Sequence, residues 1–193
     1  IGEMVKGASL VKPAVIFDAE HTVDLGGVTV RLIWMGPAHS KGDTVAVVEG
    51  EGVVFAGDLA PRGRFPSFSG VSTRANFEKA MGRVEALKAR IIVPSHGPYG
   101  DNAIFPELRN AIDQAAIRVE ALRAQGTPVA DVVKALVPEV EKLYPGWKHT
   151  IPNNVAPMIQ ALYAEARTDA DAEALLKLGL NRSEEHTSEL QSL

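Results

Sequence analysis

The chain of 193 residues contains no cysteine, so it has neither disulfides nor thiolate metal ligands, an absence that does not fix its compartment. It also lacks an excess of positive charge: 20 Lys and Arg stand against 24 Asp and Glu, a net charge of -4. Phosphate-binding surfaces rely on clustered cations, so this balance argues against nucleic-acid or anionic-membrane partners. No stretch reaches the roughly 20 consecutive apolar residues of a membrane span. No Gly-x-Ser-x-Gly elbow, P-loop or dinucleotide-binding glycine fingerprint occurs, which leaves a serine-elbow hydrolase or a nucleotide fold without its sequence signal. Aromatics amount to only 6%, yet 46% of the chain is hydrophobic, enough for a folded core.

What the chain does have is concentrated between Gly36 and Asp58. Thr44–Val48 is an apolar, β-branched run, Glu49-Gly50-Glu51-Gly52 has turn chemistry, and Val53–Ala56 is a second apolar run. This pattern predicts a hairpin. His39 lies just before its first strand and Asp58 just after its second, so the hairpin brings both to one end of a strand pair. A helical pattern over Thr73–Lys88 follows, then the short apolar run Ile91-Ile92-Val93, ending in Pro94-Ser95-His96-Gly97-Pro98. A strand, a crossover helix and a parallel strand place both strand ends on one sheet edge, so His96 should meet Asp58 there. Asp43 reads as a turn residue that bonds nearby backbone N–H groups rather than as a ligand.

Elsewhere the pattern predicts a strand over Pro13–Phe17, a polar connection over Asp18–Thr22 that holds His21, a Gly26-Gly27 turn and a strand over Val28–Met35. Leu59–Val71 is a Pro-, Gly- and Arg-rich loop that should overhang the site, with Phe65 and Phe68 either on the core edge or lining a pocket. Its Arg62 and Arg64, with Arg74, form the nearest approach to a basic cluster, read as a solvated loop with substrate contact as the alternative. In the Thr73–Lys88 helix, Phe77, Met81, Val84 and Leu87 form an inward stripe. From Phe105 the chain turns helical, with one helix stopped by Gly126, a second opened by Thr127-Pro128 in which Pro138 marks a kink rather than a clean end, and a third over Asn154–Ala166. His149, which precedes the third, reads as a packing or rim residue.

Three elements, Gly-Pro-Ala-His-Ser-x-Gly-Asp around His39, Phe-Ala-Gly-Asp ending at Asp58 and Val-Pro-Ser-His-Gly-Pro around His96, together resemble the C-terminal half of a metallo-β-lactamase-fold hydrolase. That superfamily includes glyoxalase II. The resemblance implies an α/β fold, one half of an αβ/βα four-layer sandwich, and a metallohydrolase in which His39 binds one metal, His96 a second and Asp58 bridges them. It implies zinc, two ions in the intact parent, with iron or manganese as alternatives. A metal-activated water would attack an ester, thioester, amide or lactam carbonyl of a small-molecule substrate. A bridging Asp in place of Cys favours a glyoxalase-II-like hydrolase over an antibiotic-degrading one. Two other classes remain: a di-iron or sulfur-substrate oxidoreductase on the same fold, and a non-enzymatic remnant.

The family's upstream His-x-His-x-Asp-His motif is absent; His21 is the sole histidine before His39. With a first residue Ile1, this reads as a domain whose N-terminal half lies outside the chain, over residues 1–181, with 105–181 mainly helical. Arg182–Ser192 resembles a translated sequencing adapter, so residues 182–193 are read as an artefactual tail. The expected consequences are weak or absent activity of this chain alone and self-association through an exposed apolar sheet face. The compartment stays open between cytoplasm and periplasm.

Overall fold

The computed structural model describes residues 6–9, 11–147 and 155–165; Ile1, His149, the Asp169–Leu180 segment and the 182–193 tail lie outside them. Five strands form one sheet in the order of the chain: β1 (Glu20–Asp24), β2 (Thr29–Trp34), β3 (Thr44–Val48), β4 (Val53–Gly57) and β5 (Ile91–Pro94). The first four pair antiparallel and β5 joins β4 in parallel. The parallel pair needs a crossover, which α1 (Arg74–Glu85) supplies. Thr73 caps α1 by accepting from the Asn76 N–H at 3.0 Å. Its residues Phe77, Met81 and Val84 are buried, as the stripe predicts, whereas Leu87 falls beyond the helix and packs half-buried on the core.

The predicted strand over Pro13–Phe17 does not form; the first strand is Glu20–Asp24, and His21 sits within it. Pairing decides this. The Gly26-Gly27 turn folds residues 20–24 back onto β2, with Asp24 opposite Thr29, and every residue from Glu20 to Asp24 gains a partner. The more apolar segment Ala14–Phe17 is left without a neighbouring strand, and Ile16 is 84% exposed. Backbone pairing outweighs β-propensity here.

Alternation then divides the sheet. Ile33, Val45, Val47, Val54, Ala56 and Ile92 are buried in the same apolar cluster as the helices. The opposite face carries Leu32, Ala46, Val48, Val53, Ile91 and Val93, half-buried, and Phe55, 48% exposed. Such two-sided apolar strands are a pattern for a sheet covered on both faces.

Three further helices complete the described residues: α2 (Ile104–Ala124), α3 (Val129–Leu143) and α4 (Val155–Glu165). Pro128 sits at the N-cap of α3 rather than inside its first turn, and Pro138 lies within a helix that continues past it. Helix α2 contacts each of the other three. Its Arg109 reaches both Glu78 and Glu85 of α1, a fork of charge-assisted bonds that raises the guanidinium pKa further, chiefly through Glu85. No described helix is long and apolar enough to cross a membrane.

Candidate metal centre

His39 rides on a tight loop, 35–43, that Asp43 holds from within. Asp43 is 8% exposed and its carboxylate accepts from the N–H groups of Ala38, His39 and Ser40 at 3.1, 2.7 and 3.0 Å and from the Ser40 hydroxyl at 2.6 Å. The turn role expected of Asp43 is thus the observed one, and the bonds offset the cost of burying a carboxylate. Two serines of the following loop clamp the same backbone: Ser69 Oγ donates to His39 O and Ser72 Oγ to Ala38 O. The imidazole is oriented as well. His39 Nδ1 lies 3.0 Å from Ser67 O, and because a carbonyl only accepts, Nδ1 donates there and Nε2 is the ring nitrogen left facing the sheet edge.

Asp58 follows Gly57, which adopts a φ of 56° at the end of β4, where the pairing with β5 also slips register. His96 follows β5 by two residues. The parallel pairing therefore delivers both to one edge, as the topology predicts. Asp58 Oδ2 lies 3.6 Å from His39 Nε2, and Oδ1 lies 3.7 Å from His96 Nε2. Both separations exceed a hydrogen bond. Ser95 Oγ donates to Asp58 Oδ1 at 2.7 Å, which fixes the carboxylate between the two rings.

The three side chains thus share one edge but not one point: Asp58 stands between the histidines, and among the described residues no three His, Asp or Glu groups surround a single ion position. His21 takes no part; it stacks on Phe17 at 5.9 Å.

A cavity of about 220 Å³ opens over this edge, bounded by His39, Asp58, His96, Pro61, Arg64 and Phe65. Phe65 serves both roles foreseen for it, since it is 1% exposed and packs against Tyr144 and Trp147 with centroids 5.4 and 4.8 Å apart. Phe68 belongs to the core alone, stacked on Phe77. Of the three loop-region arginines, Arg74 pairs with Asp113 and Arg62 bonds Tyr99 O, whereas Arg64 has no carboxylate within 4.0 Å among the described residues. A larger open depression of about 740 Å³, beside Phe17, Asp18, Trp34 and Lys41, contains no histidine.

Residues 2–96 match the sequence pattern of the Metallo-beta-lactamase superfamily. The likeness to that superfamily lies in this segment, just under half of the chain. A curated relative, the metallo-beta-lactamase type 2 of Bacteroides fragilis, is 24% identical over 116 residues, covering 58% of this chain and 47% of that protein. The structure of a metallo-beta-lactamase family protein from Thermus thermophilus superposes with a TM-score of 0.54 at 20% identity, over 69% of this chain and 46% of the other. A metallo-beta-lactamase from Pontibacter korlensis aligns at 22% identity with a TM-score of 0.47, over 56% and 53%. The chain therefore spans about half the length of the superfamily members it matches, and the Thermus likeness establishes a shared fold.

Ser67, Ser69, Ser72 and Ser95 hold the candidate ligands, a role the sequence does not announce; Ser72 reads there as a cap of the following helix together with Thr73, but it is Thr73 that caps α1. Ser95 stands beside His96 and could be suspected from adjacency. The other three carry no local signal, because their partners lie about 30 residues away.

Proposed function

We propose that His39, Asp58 and His96 contribute to the metal centre of a metallohydrolase that cleaves a carbonyl-containing small molecule. One observation carries this reading: a carboxylate placed between two imidazoles, each oxygen facing one Nε2 at 3.6 and 3.7 Å. The His39 side is the more telling. With Nδ1 turned to Ser67 O, it is Nε2 that faces a carboxylate oxygen, so the neutral ring would present its lone pair and Asp58 its oxygen to a cation held between them. Two donors bound at ~2.1 Å with a tetrahedral angle stand about 3.4 Å apart, close to the observed spacing. The nitrogen and oxygen donor set suits zinc, and iron or manganese as well. The superfamily match over residues 2–96 supports the same class of chemistry.

When bound, such ions supply an activated water and Lewis-acid polarisation of the carbonyl. The chain's own residues do the rest. Ser67 O and Ser95 Oγ orient His39 and Asp58, as outer-shell partners do. Pro61 and Phe65 give the cavity an apolar wall, and Arg64 adds a cation that favours a substrate bearing an acidic group. Three donors alone complete neither ion's shell, so the isolated chain should bind zinc weakly and turn over slowly.

Equilibrium dialysis against zinc tests the assignment. Uptake should fall at least tenfold in affinity in H39A and H96A and stay unchanged in H21A. No uptake by the unaltered chain at millimolar zinc, or uptake indifferent to H39A and H96A, overturns it.

A further inference from the structure

Asp58 and His96 both lie beyond the sheet that brings them together. The β4–β5 pairing ends at Gly57 opposite Pro94, so the ladder does not itself fix the turn that carries His96. Two contacts come from Ser95, whose N–H donates to Gly57 O at 3.1 Å and whose hydroxyl bonds Asp58. The remainder of the turn is held from outside, by one residue of the loop that follows Asp58.

That residue is Arg62. Its backbone N–H donates to His96 O at 3.0 Å, and its Nη1 donates to Tyr99 O at 2.7 Å, so one residue bonds the turn on both sides of Gly97-Pro98. The backbones are in contact between these bonds. Gly97 has a φ of 85°, and a Cβ there would stand 2.4 Å from Arg62 O; a Cβ on Gly100 would stand 2.9 Å from Arg62 Nη1. Gly97 is therefore required by the approach of the Arg62 backbone as well as by the turn, whereas at Gly100 the flexible guanidinium could move aside. Gly100 in turn exchanges both backbone bonds with Ile92, a fully buried residue of β5, at 2.8 and 3.0 Å. The contact is thus tied to the core at its far end and to Asp58, four residues upstream in the chain, at its near end.

We infer that Arg62 is a positioning residue for the metal centre: it clasps the His96 turn to the Asp58 loop and sets the separation of the two side chains. The inference rests on the proposed metal-ligand reading of Asp58 and His96. It also accounts for the division of labour among the loop arginines. Arg62 is engaged with backbone carbonyls, and Gly63, with a φ of 67°, redirects the chain so that Arg64 reaches the cavity.

The test uses the full chain with R62A, R62K and G97A. Amide hydrogen exchange reports the clasp directly, and Co²⁺ titration followed by its visible d–d absorption reports the centre. In R62A, exchange at the position-62 amide should accelerate at least tenfold, Co²⁺ affinity should fall about 10- to 100-fold, and the thermal midpoint should stay within about 2 °C. R62K, which keeps one donor for Tyr99 O, should recover part of the affinity. G97A, which pushes the turn off Arg62 from the other side, should lower affinity without altering the guanidinium. Exchange and Co²⁺ affinity within twofold of the unaltered chain in both R62A and G97A overturn the clasp. If the unaltered chain takes up no Co²⁺, the metal reading falls, and the exchange arm alone still decides whether Arg62 holds the turn.

Discussion

At the scale of single residues, the centre depends on groups that touch no reactant. Asp43 is the clearest: it is a nearly buried carboxylate satisfied by three backbone N–H groups and one hydroxyl, all within residues 38–40. Removing it strands three donors in a loop that also presents His39. We expect D43A to cost about 2–4 kcal/mol, since each unsatisfied buried group costs about 1–3 kcal/mol and water repairs some of the loss. D43N, which keeps one acceptor oxygen, should cost about half of that. Urea unfolding of the two variants checks this, and a D43A chain within 0.5 kcal/mol of the original would show that the loop is held from elsewhere, by Ser69 and Ser72.

At the scale of elements, the start of α1 is completed by the end of α4. Thr73 satisfies one free N–H of the first turn, and Glu165 accepts from another, that of Arg74. Burial raises the Glu165 pKa above its ordinary 4.5, and the Arg74 N–H and guanidinium pull it back only in part. The sign follows from proton counting. Over the interval between the unfolded and the raised folded value the native state holds more protons, so stability falls as pH rises through it. The E165Q variant keeps an acceptor and cannot ionise. Its thermal midpoint relative to the original should therefore improve from pH 4 to pH 7, and a difference independent of pH would mean that Glu165 is effectively solvated.

At the scale of the whole molecule, one sheet face governs behaviour in solution. Leu32, Ala46, Val48, Val53, Phe55, Ile91 and Val93 form a continuous apolar surface, because each stands opposite a like neighbour across the ladder. Covering several hundred Å² of such surface is worth on the order of 10 kcal/mol at roughly 25 cal/mol per Å², as much as a domain's net stability. Contiguous apolar patches of that size mark interfaces or aggregation sites. We expect the chain to self-associate through this face, and F55E to shift it towards monomer. Sedimentation velocity decides the matter: a monomer across the micromolar range, unaffected by F55E, would exclude the face as an interface.

The sequence by itself determined the local elements and the order of the site. β-Branched runs around glycine turns specified β2 to β4, the Thr73 cap and apolar stripe specified α1, and the strand–helix–strand rule placed His96 beside Asp58. These outcomes depend on neighbours within a few residues or on a handedness rule, so they were legible without coordinates. Only the tertiary structure decided that Glu20–Asp24 rather than Pro13–Phe17 joins the sheet, because a strand needs a partner and not merely a propensity. It also decided that the three side chains share the edge without meeting at one point, and that Ser67, Ser95 and Arg62 hold the three groups in place. Those contacts join positions about 30 or more residues apart through single hydrogen bonds, which leave no periodicity in the chain to read.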